Sequence, residues 1–234
     1  MDLTNYGENS FNSLLETKYL QKLLIETDKP PDLIIFYDGA NDCSYFNQYR
    51  TPQAHYGYRR LQGLIESYRR SYLSLFKPLN DALFSSFTLE LFDRFRQTMV
   101  AVHPENPVPQ EFVAENGKRY EHVQKLAGAY GAKFLLVWQP ILWVENAEVD
   151  PLVKEKEQVL NIMGAKFSKV RENLATTYDM LSGSLKDKPY FVDFRNALTS
   201  RTAPLYEADG VHLQPVGNKM MANRLAEVLK AKGW

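Results

Sequence analysis

Two runs of consecutive apolar residues stand out along the chain, Leu33-Ile34-Ile35-Phe36-Tyr37 and Phe134-Leu135-Leu136-Val137-Trp138. Neither alternates with polar residues, which marks strands buried on both faces of a parallel sheet. A third, shorter run is Tyr190-Phe191-Val192-Asp193. Between them the apolar positions recur at three- and four-residue steps. Leu14, Leu15, Tyr19, Leu20, Leu23 and Leu24 predict a helix of about four turns from Phe11, capped by Asn9 or Ser10 and ended by Lys29-Pro30-Pro31. Phe112, Val113, Tyr120, Val123, Leu126 and Ala127 predict a second over 111–130, stopped at Gly131. Asp150-Pro151 opens a long helix to about Leu181, and a last helix from Pro215 to Lys230 turns Val216, Met220, Leu225 and Leu229 inward. Leu3-Thr4-Asn5-Tyr6-Gly7 reads as the end of a strand, so residues 3–37 form a βαβ unit with its first strand cut short. Alternating strands and helices predict a three-layer α/β fold in one domain over 1–234.

One stretch breaks the pattern. From 44 to 110 the chain reads as a helical insertion over the strand ends, ending in the proline-rich connector His103-Pro104-Glu105-Asn106-Pro107-Val108-Pro109. Tyr45, Phe46, Tyr49, Tyr56, Tyr58, Tyr68, Tyr72, Phe76, Phe84, Phe87, Phe92 and Phe95 crowd into it. Arg50, Arg59, Arg60, Arg69, Arg70, Lys77, Arg94 and Arg96 outnumber Glu66, Asp81, Glu90 and Asp93 there. Two readings compete: the aromatics form the insertion's own core, or a basic, aromatic helix meets a membrane surface.

Composition narrows the function. With 28 basic and 28 acidic side chains no overall field steers the chain toward nucleic acid. The single cysteine, Cys43, excludes an internal disulfide and a cysteine-based zinc site. No run approaches the roughly 18 apolar residues of a membrane span, and Met1-Asp2-Leu3-Thr4-Asn5-Tyr6 lacks the regions of a secretion signal. The chemistry-bearing residues lie where a parallel sheet collects its ligands, at strand ends and in adjoining loops. Asn41 and Asp42 follow the first apolar strand. Asp209 precedes His212 by three residues before the last helix, close enough for the carboxylate to hold one tautomer of the imidazole.

Asn5-Tyr6-Gly7 ahead of a helix, Gly39-Ala40-Asn41-Asp42 at a strand end, and Asp209-Gly210-Val211-His212 near the C-terminus resemble, in order and spacing, three of the four signature blocks of the SGNH (GDSL-like) hydrolases. The resemblance spans the chain apart from the insertion. It implies a flavodoxin-like α/β/α sheet and serine-type ester hydrolysis through an acyl-enzyme, with no metal or organic cofactor. It further implies that Gly7 and Asn41 are oxyanion donors, Asp209 the orienting acid and His212 the general base. The block that carries the nucleophilic serine, on a turn after the family's first strand, has no counterpart ahead of Gly7. The chain therefore reads as the C-terminal part of a longer protein, with any export or anchoring signal lost along with that block.

Ser10, Ser13, Cys43 and Ser44 lie near the signature blocks, but Ser10 reads as a helix cap, Ser13 as a helix-turn residue and Cys43 as a small buried hydrophobe. The nucleophile thus stays unassigned. The expected substrate is a small-molecule or polysaccharide ester. O-acyl transfer to a sugar hydroxyl, differing only in the acceptor, and a non-catalytic carbohydrate- or lipid-binding domain are the competing readings. A flavodoxin-like nucleotide binder is disfavoured, because Gly7-Glu8-Asn9 offers one glycine where a phosphate loop needs several.

Overall fold

The computed structural model describes residues 2–71, 96, 99–145, 148–160, 168–199 and 201–234. Three parallel strands, β1 (Leu33–Asp38), β2 (Lys133–Trp138) and β3 (Phe191–Asp193), form a sheet in the order β1-β2-β3. Seven helices are described: α1 (Ser13–Glu26), α2 (Ala40–Tyr49), α3 (Tyr58–Ser71), α4 (Pro107–Ala129), α5 (Pro151–Leu160), α6 (Ser168–Leu185) and α7 (Pro215–Ala231). Leu33 pairs with Lys133 and Asp38 with Trp138, so β1 and β2 end together. Trp138 pairs in turn with Asp193 at the end of β3.

Strand β2 organises both sides of the sheet. Successive side chains on a strand point to opposite faces. Phe134, Leu136 and Trp138 join α1, α2, α4 and α6 in one core, through Leu20, Phe46, Phe112, Tyr120, Val123, Tyr178 and Leu181. Leu135 and Val137 join a second core with Phe194, Leu198, Leu205, Tyr206 and Met221 of α7. Two cores across one sheet make the three-layer α/β/α arrangement of the flavodoxin-like type. Fully burying a side chain such as Leu135 or Leu136 contributes about 1.5–3 kcal/mol, so the uninterrupted apolar run is what a two-faced strand requires.

Several local expectations are corrected. Residues 3–7 form no strand; Leu3 and Tyr6 are 82% and 55% exposed, because nothing on that segment pairs with β1. Helix α1 begins at Ser13 rather than Phe11, since Ser10 adopts the left-handed region (φ 64°) and Asn12 supplies the cap, accepting from the Leu15 N–H. Helix α4 takes in Pro107 and Pro109, read above as connector. The first-turn N–H groups of a helix have no intrahelical partner, so proline costs nothing there. The long helix expected from Pro151 is described as α5 and α6, with 161–167 outside the described residues. Val216 points outward and is 62% exposed, while Met220, Leu225 and Leu229 pack as expected.

The stretch assigned to an insertion begins inside α2. Tyr45 and Phe46 are core residues of the main body, and Phe46 stacks on Phe112 with centroids 4.3 Å apart. Residues 72–95, 97 and 98, with the aromatics from Tyr72 to Phe95, lie outside the described residues.

A cluster of acids lies beneath the carboxyl end of β1. Asp38 lies beside the Glu16 carboxyl and accepts from Tyr120 Oη at 3.0 Å. Desolvation, reinforced by the neighbouring Glu16 charge, raises Asp38 well above the usual carboxylate range. Burial pushes Glu16 up to about 7. A carboxyl raised in the folded state binds more protons than it does unfolded, so stability falls as pH rises from its ordinary 4.5 to about 7 and levels above that. Glu16→Gln is expected to flatten this decline by up to about 3 kcal/mol, read from urea midpoints across the interval. A decline of the same size in the variant would show that the pair does not titrate there.

Candidate functional site

The ends of β1, β2 and β3 are laced together. Gln139 N–H donates to the Asp38 carbonyl at 2.9 Å and Phe194 N–H to the Trp138 carbonyl at 2.9 Å. Tyr178 of α6 lies across this edge, its hydroxyl donating to the Gln139 carbonyl and its ring 4.8 Å from that of Trp138. Gly39 turns the chain from β1 into α2 at φ 128°, and a Cβ there would overlap the Tyr178 phenol. Only glycine satisfies both conditions.

From that turn α2 presents Asn41 and Asp42 to the segment before α1. Asn41 Nδ2 donates to the Phe11 carbonyl at 2.5 Å. Asp42, 3% exposed, accepts from Ser13 N–H at 3.1 Å and from Ser13 Oγ at 2.6 Å, with Arg119 3.9 Å away. Desolvation raises the Asp42 carboxyl, opposed by Arg119 and the Ser13 bonds. Asn41 and Asp42 together fasten residues 11–13 to the strand end.

Asp209 and His212 meet as the spacing predicts. His212 Nδ1 lies 2.5 Å from Asp209 Oδ2, and Asp209 Oδ1 accepts from the Val211 and His212 N–H groups at 2.9 Å each. A carboxylate only accepts, so Nδ1 carries the proton and Nε2 presents its lone pair. Partial burial works to raise Asp209, but the bonds from the His212 ring and the two amides hold its carboxyl below the usual range. His212 is 75% exposed at the side chain, and Nε2 makes no hydrogen bond among the described residues.

A buried ionic cluster anchors the loop that carries this pair. Arg201 Nε donates to Glu157 at 3.1 Å and its two terminal nitrogens bond Glu145, Glu157 and the Leu198 carbonyl, so every guanidinium donor is used. Glu157 also accepts from Leu205 N–H at 2.8 Å, and Glu145 from Tyr206 Oη at 3.0 Å. From Tyr206 the chain turns back on itself, with Glu207 N–H donating to the His212 carbonyl and Gln214 N–H to the Leu205 carbonyl, both at 2.8 Å. Leu142 N–H reaches the Gly210 carbonyl at 2.9 Å and joins this turn to the segment after β2. The clamp had no sequence signal, because its members are scattered between 145 and 206.

A family model described as GDSL-like Lipase/Acylhydrolase matches residues 4–225. The chain belongs to this family. No curated protein and no solved structure matches it. Membership in the GDSL-like family agrees with the parallel α/β sheet and makes this a chain of the SGNH hydrolase class.

The other residues singled out in this GDSL-like chain are spread more widely. Gly7 is exposed and its N–H donates to Asn5 Oδ1 at 2.9 Å. Ser13 is fully buried, and Cys43 is buried with its thiol pushed well up by desolvation. Ser10 gives its carbonyl to Tyr45 Oη at 3.1 Å. None of Ser10, Ser13, Cys43 and Ser44 bonds His212. Among the described residues no set of His, Cys, Asp and Glu is arranged to hold a metal ion. A groove of about 470 Å³ lined by Val192, Phe194, Arg224 and Val228 lies beside β3 and α7 and includes neither Asp209 nor His212.

Removing the guanidinium leaves two carboxylates buried without their counter-charge. Arg201→Met is expected to cost about 3–5 kcal/mol in urea unfolding, and adding Glu145→Gln and Glu157→Gln should recover much of it. A single substitution that leaves the midpoint in place would deny the clamp its role.

Proposed function

We propose that this GDSL-like protein is a serine-type ester hydrolase in which Asp209 and His212 are the acid and base of the catalytic machinery. The observation that carries the reading is the Asp209–His212 pair, with Nδ1 protonated toward the carboxylate and Nε2 open. In this scheme Nε2 takes the proton of a serine hydroxyl as its oxygen attacks the ester carbonyl. The imidazolium, steadied by Asp209, returns the proton to the departing alcohol, leaving an acyl-serine. Water then repeats the cycle: His212 takes its proton, the carboxylic acid leaves and the serine hydroxyl is restored. With a sugar hydroxyl in place of water, the same steps give acyl transfer.

Gly7 N–H and the second Nδ2 hydrogen of Asn41 are the proposed oxyanion donors. Each such donor supplies about 3–4 kcal/mol when aimed at the developing charge. Gly7 must exchange its exposed bond to Asn5 for the oxyanion, whereas Asn41 keeps Phe11 and uses its other hydrogen. The serine is assigned to none of Ser10, Ser13 and Ser44. That none of these serines bonds His212 favours a second reading, a binding domain without turnover.

The test is intact-mass measurement after treatment with a fluorophosphonate, beside turnover of p-nitrophenyl acetate. In a protein that carries the serine block ahead of Gly7, the expected result is one adduct and turnover that falls by about 10³-fold or more in His212→Ala. Turnover unchanged by that substitution removes His212 from the mechanism, and a folded protein that carries the serine block and still takes no label is a binder. Asp209→Asn should keep the fold and lower turnover by up to about 10⁴-fold, since the imidazole then loses its fixed tautomer.

A further inference from the structure

Helix α3 carries large apolar side chains on its outside. Leu61, Leu64, Ile65 and Tyr68 are 48%, 55%, 37% and 67% exposed. At about 3.6 residues per turn these four fall within an arc of about 100°. Arg60 and Arg69 lie about 90° to either side of that arc's centre and Arg59 lies opposite, all three exposed, with Arg69 ion-paired at 3.6 Å to Glu66, the helix's one acid. The first turn is tied to the body, with the Tyr58 ring 5.5 Å from that of Tyr49 at the end of α2. Tyr56, just ahead of the helix, is 66% exposed.

We propose that α3 seats this face at the headgroup–acyl boundary of an anionic lipid bilayer. The flanking arginines decide for a membrane. They can lay their aliphatic stems along the apolar stripe while their guanidinium groups reach the phosphates. A second copy docked on the same stripe by a two-fold axis would instead bring like charges together. A helix of 14 residues spans about 21 Å, short of the roughly 30 Å hydrocarbon core, so it lies in the interface. No described helix is long and apolar enough to cross a membrane. Tyr56 and Tyr68 have the amphipathic rings that settle at headgroup depth. The inference does not rest on the hydrolase reading, since α3 holds none of the proposed catalytic residues.

The test is co-sedimentation of the whole chain with phosphatidylcholine vesicles, with and without phosphatidylglycerol, beside light scattering for oligomeric state. Binding should be roughly tenfold or more stronger with the anionic lipid, as expected for two basic side chains at the surface, and should weaken with salt. Leu64→Glu and the double variant Arg60→Glu with Arg69→Glu, both at exposed positions and checked for folding by circular dichroism, should each abolish it. The inference is overturned by no binding to anionic vesicles, by equal binding to both, or by binding that survives either variant. A dimer that Leu64→Glu dissociates would equally overturn it by assigning the stripe to a second copy.

Discussion

The burial of β2 on both faces is the constraint on which the rest of the structure depends. Phe134, Leu136 and Trp138 demand one helical layer and Leu135 and Val137 another, so helices must lie on both sides of the sheet. With β1 and β3 held parallel on either side, the three carboxyl ends fall on one edge. Of the residues proposed for catalysis, Asn41 leaves from that edge and Asp209 and His212 from a loop tied to it. Position comes from hydrophobic packing, and the polar groups refine it.

That refinement differs on the two sides. The Asp209–His212 turn is held by its own amides, by the pairing of 205–214 and by the Arg201–Glu145–Glu157 cluster beneath. On the other side Asn41 and Asp42 grip residues 11–13, whereas Gly7 lies beyond that grip on an exposed segment. The side proposed for the base is preorganised, and Gly7 is held by its local bond to Asn5.

How much of this was legible follows from range. The strands were readable because burial on both faces writes an unbroken apolar run, and the Asp209–His212 contact because three residues of turn join the pair locally. The start of α1 was misread because Asn9, Ser10 and Asn12 are all competent caps and only the backbone angle of Ser10 decides among them. The proline-rich start of α4 was misread because proline both breaks helices and opens them. Arg201, Glu145 and Glu157 were invisible: their association is tertiary, and no spacing announces it.

The Asn41-Asp42 pair shows that a motif singled out for chemistry can carry architecture. In sequence it stands for chemistry, yet most of its described bonds are architectural, with Asp42 buried against Ser13 and near Arg119 and Asn41 spending one hydrogen on Phe11. Architecture and chemistry are compatible here because an amide offers two hydrogens on one nitrogen. The bond to Phe11 fixes the Asn41 plane, so in the proposed role the second hydrogen is already ordered. A side chain that donated only to substrate would have to be ordered anew at each encounter, with a loss of rotamer entropy that Asn41 has already incurred in folding.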